Sequence, residues 1–199
     1  MSVFSLLTIL VLFFGTFASA QDVKSLWFAP GVSITRFQAT VTVPSLPSGG
    51  GAHGVWPGVE NDGAGFVFQG VISDSKSPGA WEFWVEYCCN PNYEASPIKV
   101  YPGDSITSTF TLGSAGWTDS WSLSPGSTGR SAGQNSQSGS SSNTFTGMIS
   151  KALLAIELQD GAAWTFGKVQ WGGITVQAKT STSWCSNKYL HYPLYLPRF

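Results

Sequence analysis

Charge is scarce in this chain: 10 lysines and arginines stand against 11 aspartates and glutamates in 199 residues, with no basic cluster. Nucleic acids and anionic membrane surfaces are held by clustered Lys and Arg, so neither is an expected partner. Histidine is rarer still. His53 lies in the Gly-rich PSGGGAHGVW segment and His191 near the end, neither in a recognisable serine or cysteine nucleophile context, which sets Ser/His and Cys/His mechanisms aside. The three cysteines, Cys88, Cys89 and Cys185, make no zinc-like spacing with those histidines, so no metal is expected. No N-x-[ST] sequon occurs, and N-glycosylation is not expected.

A long apolar run occurs once. Residues 1–20, MSVFSLLTILVLFFGTFASA, are uncharged and close on Ala18-Ser19-Ala20, the small-x-small pattern of a signal-peptidase site. The chain is read as secreted, with no stable membrane association after cleavage. A membrane anchor is the competing reading, but the run is short and no second one follows. The remainder, 21–199, is long enough for one domain with a proper core and too short for two comfortable ones. An oxidising exterior makes a disulfide the expected fate of two cysteines, Cys185 bridging to Cys88 or Cys89, because vicinal cysteines join each other only through a strained ring.

Helical periodicity is missing after residue 20, whereas period-two runs recur between Gly, Pro, Ser and Asn clusters. In RFQATVTVP, Phe37, Ala39, Val41 and Val43 alternate with Gln38, Thr40 and Thr42. Similar alternation runs through GFVFQGVIS, WEFWVEY, SITSTFTL, the KALLAIE run and WGGITVQA. Pro102-Gly103 followed by Asp104 marks a turn. The stretch PGSTGRSAGQNSQSGSSSN, 125–143, reads as a long surface connection rather than an interdomain linker, with TDSWSLS and NTFTG as neighbouring strands on either side. The expected fold is therefore all-β, a sandwich of two antiparallel sheets, one face of which carries aromatics.

Three acids fall on expected strands: Glu82, Glu86 and Glu157. An unpaired carboxylate inside a strand costs several kcal/mol to desolvate or shifts its pKa upward, so each is either solvated or chemically employed. Glycosidase chemistry needs two carboxyl groups about 5–9.5 Å apart. Glu82 and Glu86 share a face but are separated by about 13 Å of strand, with Trp84 between them. A pairing of either with Glu157 across the sheet stays open.

Taken in order, VWPGVENDGAGFVFQG, WEFWVEY, PIKVYPGDSITSTFTL, NTFTG and ALLAIELQDGAAWTFGKVQWGGITV resemble the glutamic peptidases, or eqolisins, secreted acid proteases of fungal type with a concanavalin A-like sandwich. The resemblance covers nearly all of residues 21–178. Trp56-Pro57-Gly58-Val59-Glu60 and Phe68-Gln69-Gly70 look like the family's first motif, Trp84-Val85-Glu86-Tyr87 its Trp-Tyr-Glu-Trp, and Ala152 to Leu158 its last. By that resemblance Gln69 and Glu157 are the catalytic pair, expected on adjacent strands and converging on one face, while Trp56, Glu60, Trp84 and Glu86 line the substrate cleft. A glutamate of raised pKa can take a proton from water and return it to the departing amine. A glutamine N–H can stabilise the oxyanion. The resemblance implies a protein or peptide substrate, no metal or organic cofactor, and a monomer.

The chain departs from the family at Gly70, where threonine is usual, at Leu153 and Leu154 in place of Glu-Trp, and at Leu158 in place of aspartate. RFQATVTVP follows residue 20 so closely that no separate prosegment is expected. Residues 179–199 form an extra tail beyond the match. The rival expectation from another class is a non-catalytic, lectin-like sandwich that holds a carbohydrate or peptide on the same aromatic face.

Overall fold

The computed structural model describes residues 22–88 and 91–180. Residues 1–20 and 181–199, on which the signal peptide and most of the tail fall, lie outside the described residues. Among the described residues twelve strands form two antiparallel sheets stacked as a sandwich. Seven strands make the first: β1 (Asp22–Phe28), β11 (Lys151–Gln159), β3 (Ala52–Glu60), β4 (Val67–Ser73), β5 (Glu82–Cys88) and β6 (Tyr93–Glu94) in that spatial order, with β7 (Ile98–Lys99) also on β5. Five make the second: β10 (Gln137–Ser142), β9 (Gly116–Ser124), β8 (Ser105–Gly113), β2 (Ile34–Thr42) and β12 (Gln170–Ala178).

Alternation explains most of these elements. In β2, Phe37, Ala39 and Val41 turn inward and are buried, and Ile106 and Phe110 do the same in β8. The ring of Phe110 stacks on Phe37 at 6.1 Å and meets Phe68 of the opposite sheet edge-on at 5.3 Å, which ties the layers together. Burying side chains of this size contributes about 1.5–3 kcal/mol each, and this core is what holds the outer faces rigid. The turn at Pro102-Gly103-Asp104 is present: Gly103 takes φ 89° and the Asp104 N–H donates to Tyr101 O. Cys88 closes β5 and is disulfide-bonded. Cys89 and Cys185 lie outside the described residues.

Two segments differ from expectation. The Gly/Ser stretch is not a bare connection, because it holds a short helix, α1 (Ser127–Ser131), and the edge strand β10. An edge strand takes its register from its neighbour's backbone and needs no apolar alternation of its own. Gly139 permits the approach, since a Cβ there would sit 2.8 Å from the Trp121 ring. Conversely, residues 143–147, NTFTG, form no strand. Asn143 Oδ1 accepts the Phe145 N–H instead, and Phe145 stacks on Phe66 at 4.2 Å.

β3 sits centrally in the first sheet despite Pro57. Pro cannot donate to a ladder, and the β3–β4 pairing skips Trp56 and Pro57 between the Val55–Ile72 and Gly58–Gln69 pairs.

Candidate active site

The outward face of the seven-stranded sheet is built by period two. On β3 it presents Gly54, Trp56 and Gly58; on β4, Gln69, Val71 and Ser73; on β5, Glu82, Trp84 and Glu86; and on β11, Leu153, Ala155, Glu157 and Gln159. Gly58 makes room for its neighbours: a Cβ there would lie 3.2 Å from Gln69 Cβ, 3.2 Å from Trp56 Cζ3 and 2.9 Å from Phe68 O. Trp56, Val71, Trp84, Leu153 and Ala155 form a small apolar cluster on this face, separate from the main core. Leu153, one of the departures from the family pattern, is part of that packing, while Leu154 and Leu158 point the other way into the sandwich.

Around this cluster the carboxylates are tied by N–H donors. Glu157 accepts from Trp56 Nε1 at 2.8 Å on one oxygen and from Gln159 Nε2 at 2.5 Å on the other. Glu86 accepts from Trp84 Nε1 at 2.6 Å and, on its second oxygen, from Gln69 Nε2. Hydrogen bonds to an ionised acceptor are the strong kind, so both acids are held in fixed orientations. A cleft of about 240 Å³ opens here, lined by Gln69, Trp84, Glu86 and Glu157 together with Gln159, Lys76, Glu94, His53 and small residues of β3, β4 and the connection after β4.

Four of the six expected site residues thus meet in one cleft. Trp56 is absent from its lining and lies beneath, 6% exposed, with its indole N–H on Glu157. Glu60 is not brought in. It sits at the far end of β3, paired with Lys151 at 3.0 Å. The expectation of adjacent strands for Gln69 and Glu157 is corrected: β3 runs between β4 and β11. Gln69 faces Gly58 and Glu157 faces Gly54, four residues apart on that strand, or about 13 Å along it. The indole of Trp56 spans the gap, its Nε1 on Glu157 and its Cζ3 over Gly58 beside Gln69.

Gln159, Lys76 and Glu94, lining residues with long polar side chains, were not singled out from the sequence. Gln159 was legible, since it lies two positions beyond Glu157 on the same strand and so on the same face. Lys76 belongs to the β4–β5 connection and Glu94 to a two-residue strand, where no periodicity points to a face. Lys76 Nζ pairs with Glu94 Oε1 and lies 4.6 Å over the Trp84 ring. A further acid, Asp119 of β9, is fully buried between the sheets. One of its oxygens accepts the Thr109 N–H at 3.0 Å and the other has no hydrogen bond. Burial pushes its pKa up to about 7, the Thr109 N–H pulling the other way and the nearby Ser108 hydroxyl also doing so, though without a hydrogen bond of good geometry. His53, also buried, holds Asp74 at 3.1 Å. Among the described residues no group of three or more potential metal ligands occurs, and no helix is long and apolar enough to cross a membrane.

The fold is an all-β, two-sheet antiparallel sandwich, and it is the fold of the glutamic peptidases of known structure. Scytalido-glutamic peptidase with a transition state analog inhibitor superposes with a TM-score of 0.56 at 20% identity, covering 81% of this chain and 82% of that one. SCP-B, a member of the eqolisin family of peptidases in complex with the tripeptide Ala-Ile-His, gives 0.56 at 19% identity with the same coverage. A second scytalido-glutamic peptidase structure, with a peptide-based transition state analog, gives 0.51 at 18%. No family model and no curated protein matches this chain by sequence.

Proposed function

We propose that this chain is a secreted, monomeric, acid-acting endopeptidase of the glutamic type, with protein or peptide substrates and no cofactor. One observation carries the reading: Gln69 and Glu157 open from the same sheet face into one cleft, in a fold shared with peptidases that bind a tripeptide and transition state analogs. Glu157 takes a proton from water as the water oxygen attacks the peptide carbonyl carbon. The oxyanion that forms is stabilised by a Gln69 N–H; the amide has two, and only one is needed by Glu86. Glu157 then returns the proton to the amine nitrogen, and the C–N bond breaks to leave an acid and an amine. Glu86 holds the Gln69 amide with nitrogen toward the substrate, and Trp56 and Gln159 hold the Glu157 carboxylate.

A second reading rests on the offset between the pair, four residues along β3. A sandwich that only binds a peptide or glycan needs no shared water between the two groups. The separating experiment incubates denatured protein substrate with wild type, Glu157→Gln and Gln69→Ala at acid and neutral pH. Cleavage at acid pH that drops at least about a hundredfold in each variant supports the peptidase. Absence of cleavage with retention on a polysaccharide column supports the binder.

A further inference from the structure

We propose that Lys76 is a specificity-determining residue that gives the cleft a preference for peptides carrying an acidic side chain beside Trp84. The inference rests on the peptidase reading for the bond that is cut, but not for the binding preference itself.

Among the described residues Lys76 is the sole Lys or Arg that lines the cleft, against Glu86, Glu94 and Glu157. These acids are not equivalent. Glu86 and Glu157 are each held by N–H donors of neighbouring Gln and Trp side chains on the same sheet face. Glu94, on the outermost short strand, is 48% exposed and is the acid that pairs with Lys76.

The lysine side chain leaves the β4–β5 connection near Ser73, passes over the Trp84 ring and reaches Glu94, which stands opposite Glu86 in the β5–β6 register. It therefore runs along one wall of the cleft, from the end where Ser73 and Glu157 share a level toward the end where Gln69 and Glu86 do. An ammonium over an aromatic face is retained by the ring quadrupole whatever its counter-ion. The Lys76–Glu94 pair, at 32% and 48% side-chain exposure, is of the kind that contributes little to stability, and one carboxylate on it exchanges readily for another. A substrate Asp or Glu laid along the cleft replaces Glu94 on an ammonium that is already positioned. A neutral side chain gains nothing there, and a basic one meets a like charge. Trp84 also donates to Glu86, which holds Gln69, so a carboxylate bound at Lys76 lies one indole away from the candidate oxyanion donor.

The test uses one peptide sequence in which Glu, Gln or Lys is placed at each position in turn. Cleavage rates are read with wild type, and binding by fluorescence anisotropy with the Glu157→Gln protein, both at about pH 5.5, where a peptide Glu is ionised. In both readouts one position favours Glu over Gln by about fivefold to tenfold, a ratio that shrinks as salt is raised. Lys76→Met brings the ratio to about one, Lys76→Arg retains it, and Glu94→Gln, which removes the competing carboxylate, increases it. A wild-type protein with no such position, or a ratio that survives Lys76→Met, overturns the proposal. Cleavage without a Glu preference defeats this inference alone. A Glu preference in binding without cleavage defeats the peptidase reading alone.

Discussion

On the outer face of the seven-stranded sheet, Glu86 accepts N–H bonds from Gln69 and Trp84, and Glu157 from Trp56 and Gln159. Inside the same sandwich Asp119 keeps one oxygen on the Thr109 N–H and leaves the other without a hydrogen bond. Both regions place acids on strands whose neighbours are aromatic, and donor supply separates them. In the cleft, side chains at period-two positions bring indole and amide N–H groups to each carboxylate. In the core, the inward positions of facing strands are mostly apolar and the one hydroxyl beside Asp119, Ser108, makes no hydrogen bond of good geometry, so burial favours the protonated acid.

The largest consequence is on stability against pH. Asp119 has a folded pKa of about 7 against an ordinary value of 3.8. Its contribution is therefore fully present below about pH 4 and is lost as pH rises toward 7, because across that window the unfolded chain releases a proton that the folded one keeps. The difference is worth roughly 4 kcal/mol. Urea unfolding at pH 4 and pH 7.5 reads it. The fall in stability is much smaller in Asp119→Asn than in wild type; an equal fall in both proteins would remove Asp119 from the account.

Gly70 tests the boundary between the two regions. It lies on β4 directly after Gln69, and its missing side chain faces the core: a Cβ there would lie 2.5 Å from Ser108 Oγ and 3.3 Å from Phe83. Restoring threonine, the residue usual in the family pattern, overfills the site and destabilises by about 1–3 kcal/mol. Gly70→Thr combined with Ser108→Gly recovers part of that loss in denaturant melts. If the single variant were as stable as wild type, the close approach would not matter.

In the cleft, a smaller loss follows from removing one donor. Trp56→Phe deletes the N–H on Glu157 while keeping most of the ring, and a hydrogen bond to a charged group is worth about 1.5–3 kcal/mol. The expectation is a fall of at least about tenfold in kcat/KM at acid pH, with the urea midpoint little changed. A loss of stability that accounts for the whole fall in activity would make Trp56 a packing residue only.

Strands with clean alternation, β2 and β8 among them, are legible in the sequence because each has one face in the core. β3 is hidden by Pro57 and its glycines, which read as a loop although they are what opens the cleft floor. β10 is hidden because an edge strand of Ser and Gly borrows its order from β9. Gln69 and Glu157 stand out through motif order, yet the strand between them follows from sheet topology alone. Asp119 was within reach: alternation in TDSWSLS aligns it with Trp117, Trp121 and Leu123 on the inward face. Lys76 and Glu94 meet only through folding of a turn against a two-residue strand, and no local pattern encodes that.

The smallest effect belongs to the other outer face. Across β8, β9 and β10, Thr107, Ser122 and Ser138 lie in register, as do Thr109, Ser120 and Ser140. Thr118 and Ser142 share a hydrogen bond at 2.8 Å, and Thr40 and Thr107 one at 2.7 Å. Hydroxyls here satisfy one another or face water, and no indole or carboxylate interrupts the rows named. Replacing exposed Ser122 by alanine therefore changes stability by no more than about 0.5 kcal/mol and leaves proteolysis as it was, measured side by side with Trp56→Phe. A loss of activity at Ser122 comparable to that at Trp56 would mean that the face opposite the cleft also handles substrate, and the assignment of chemistry to the seven-stranded sheet alone would fail.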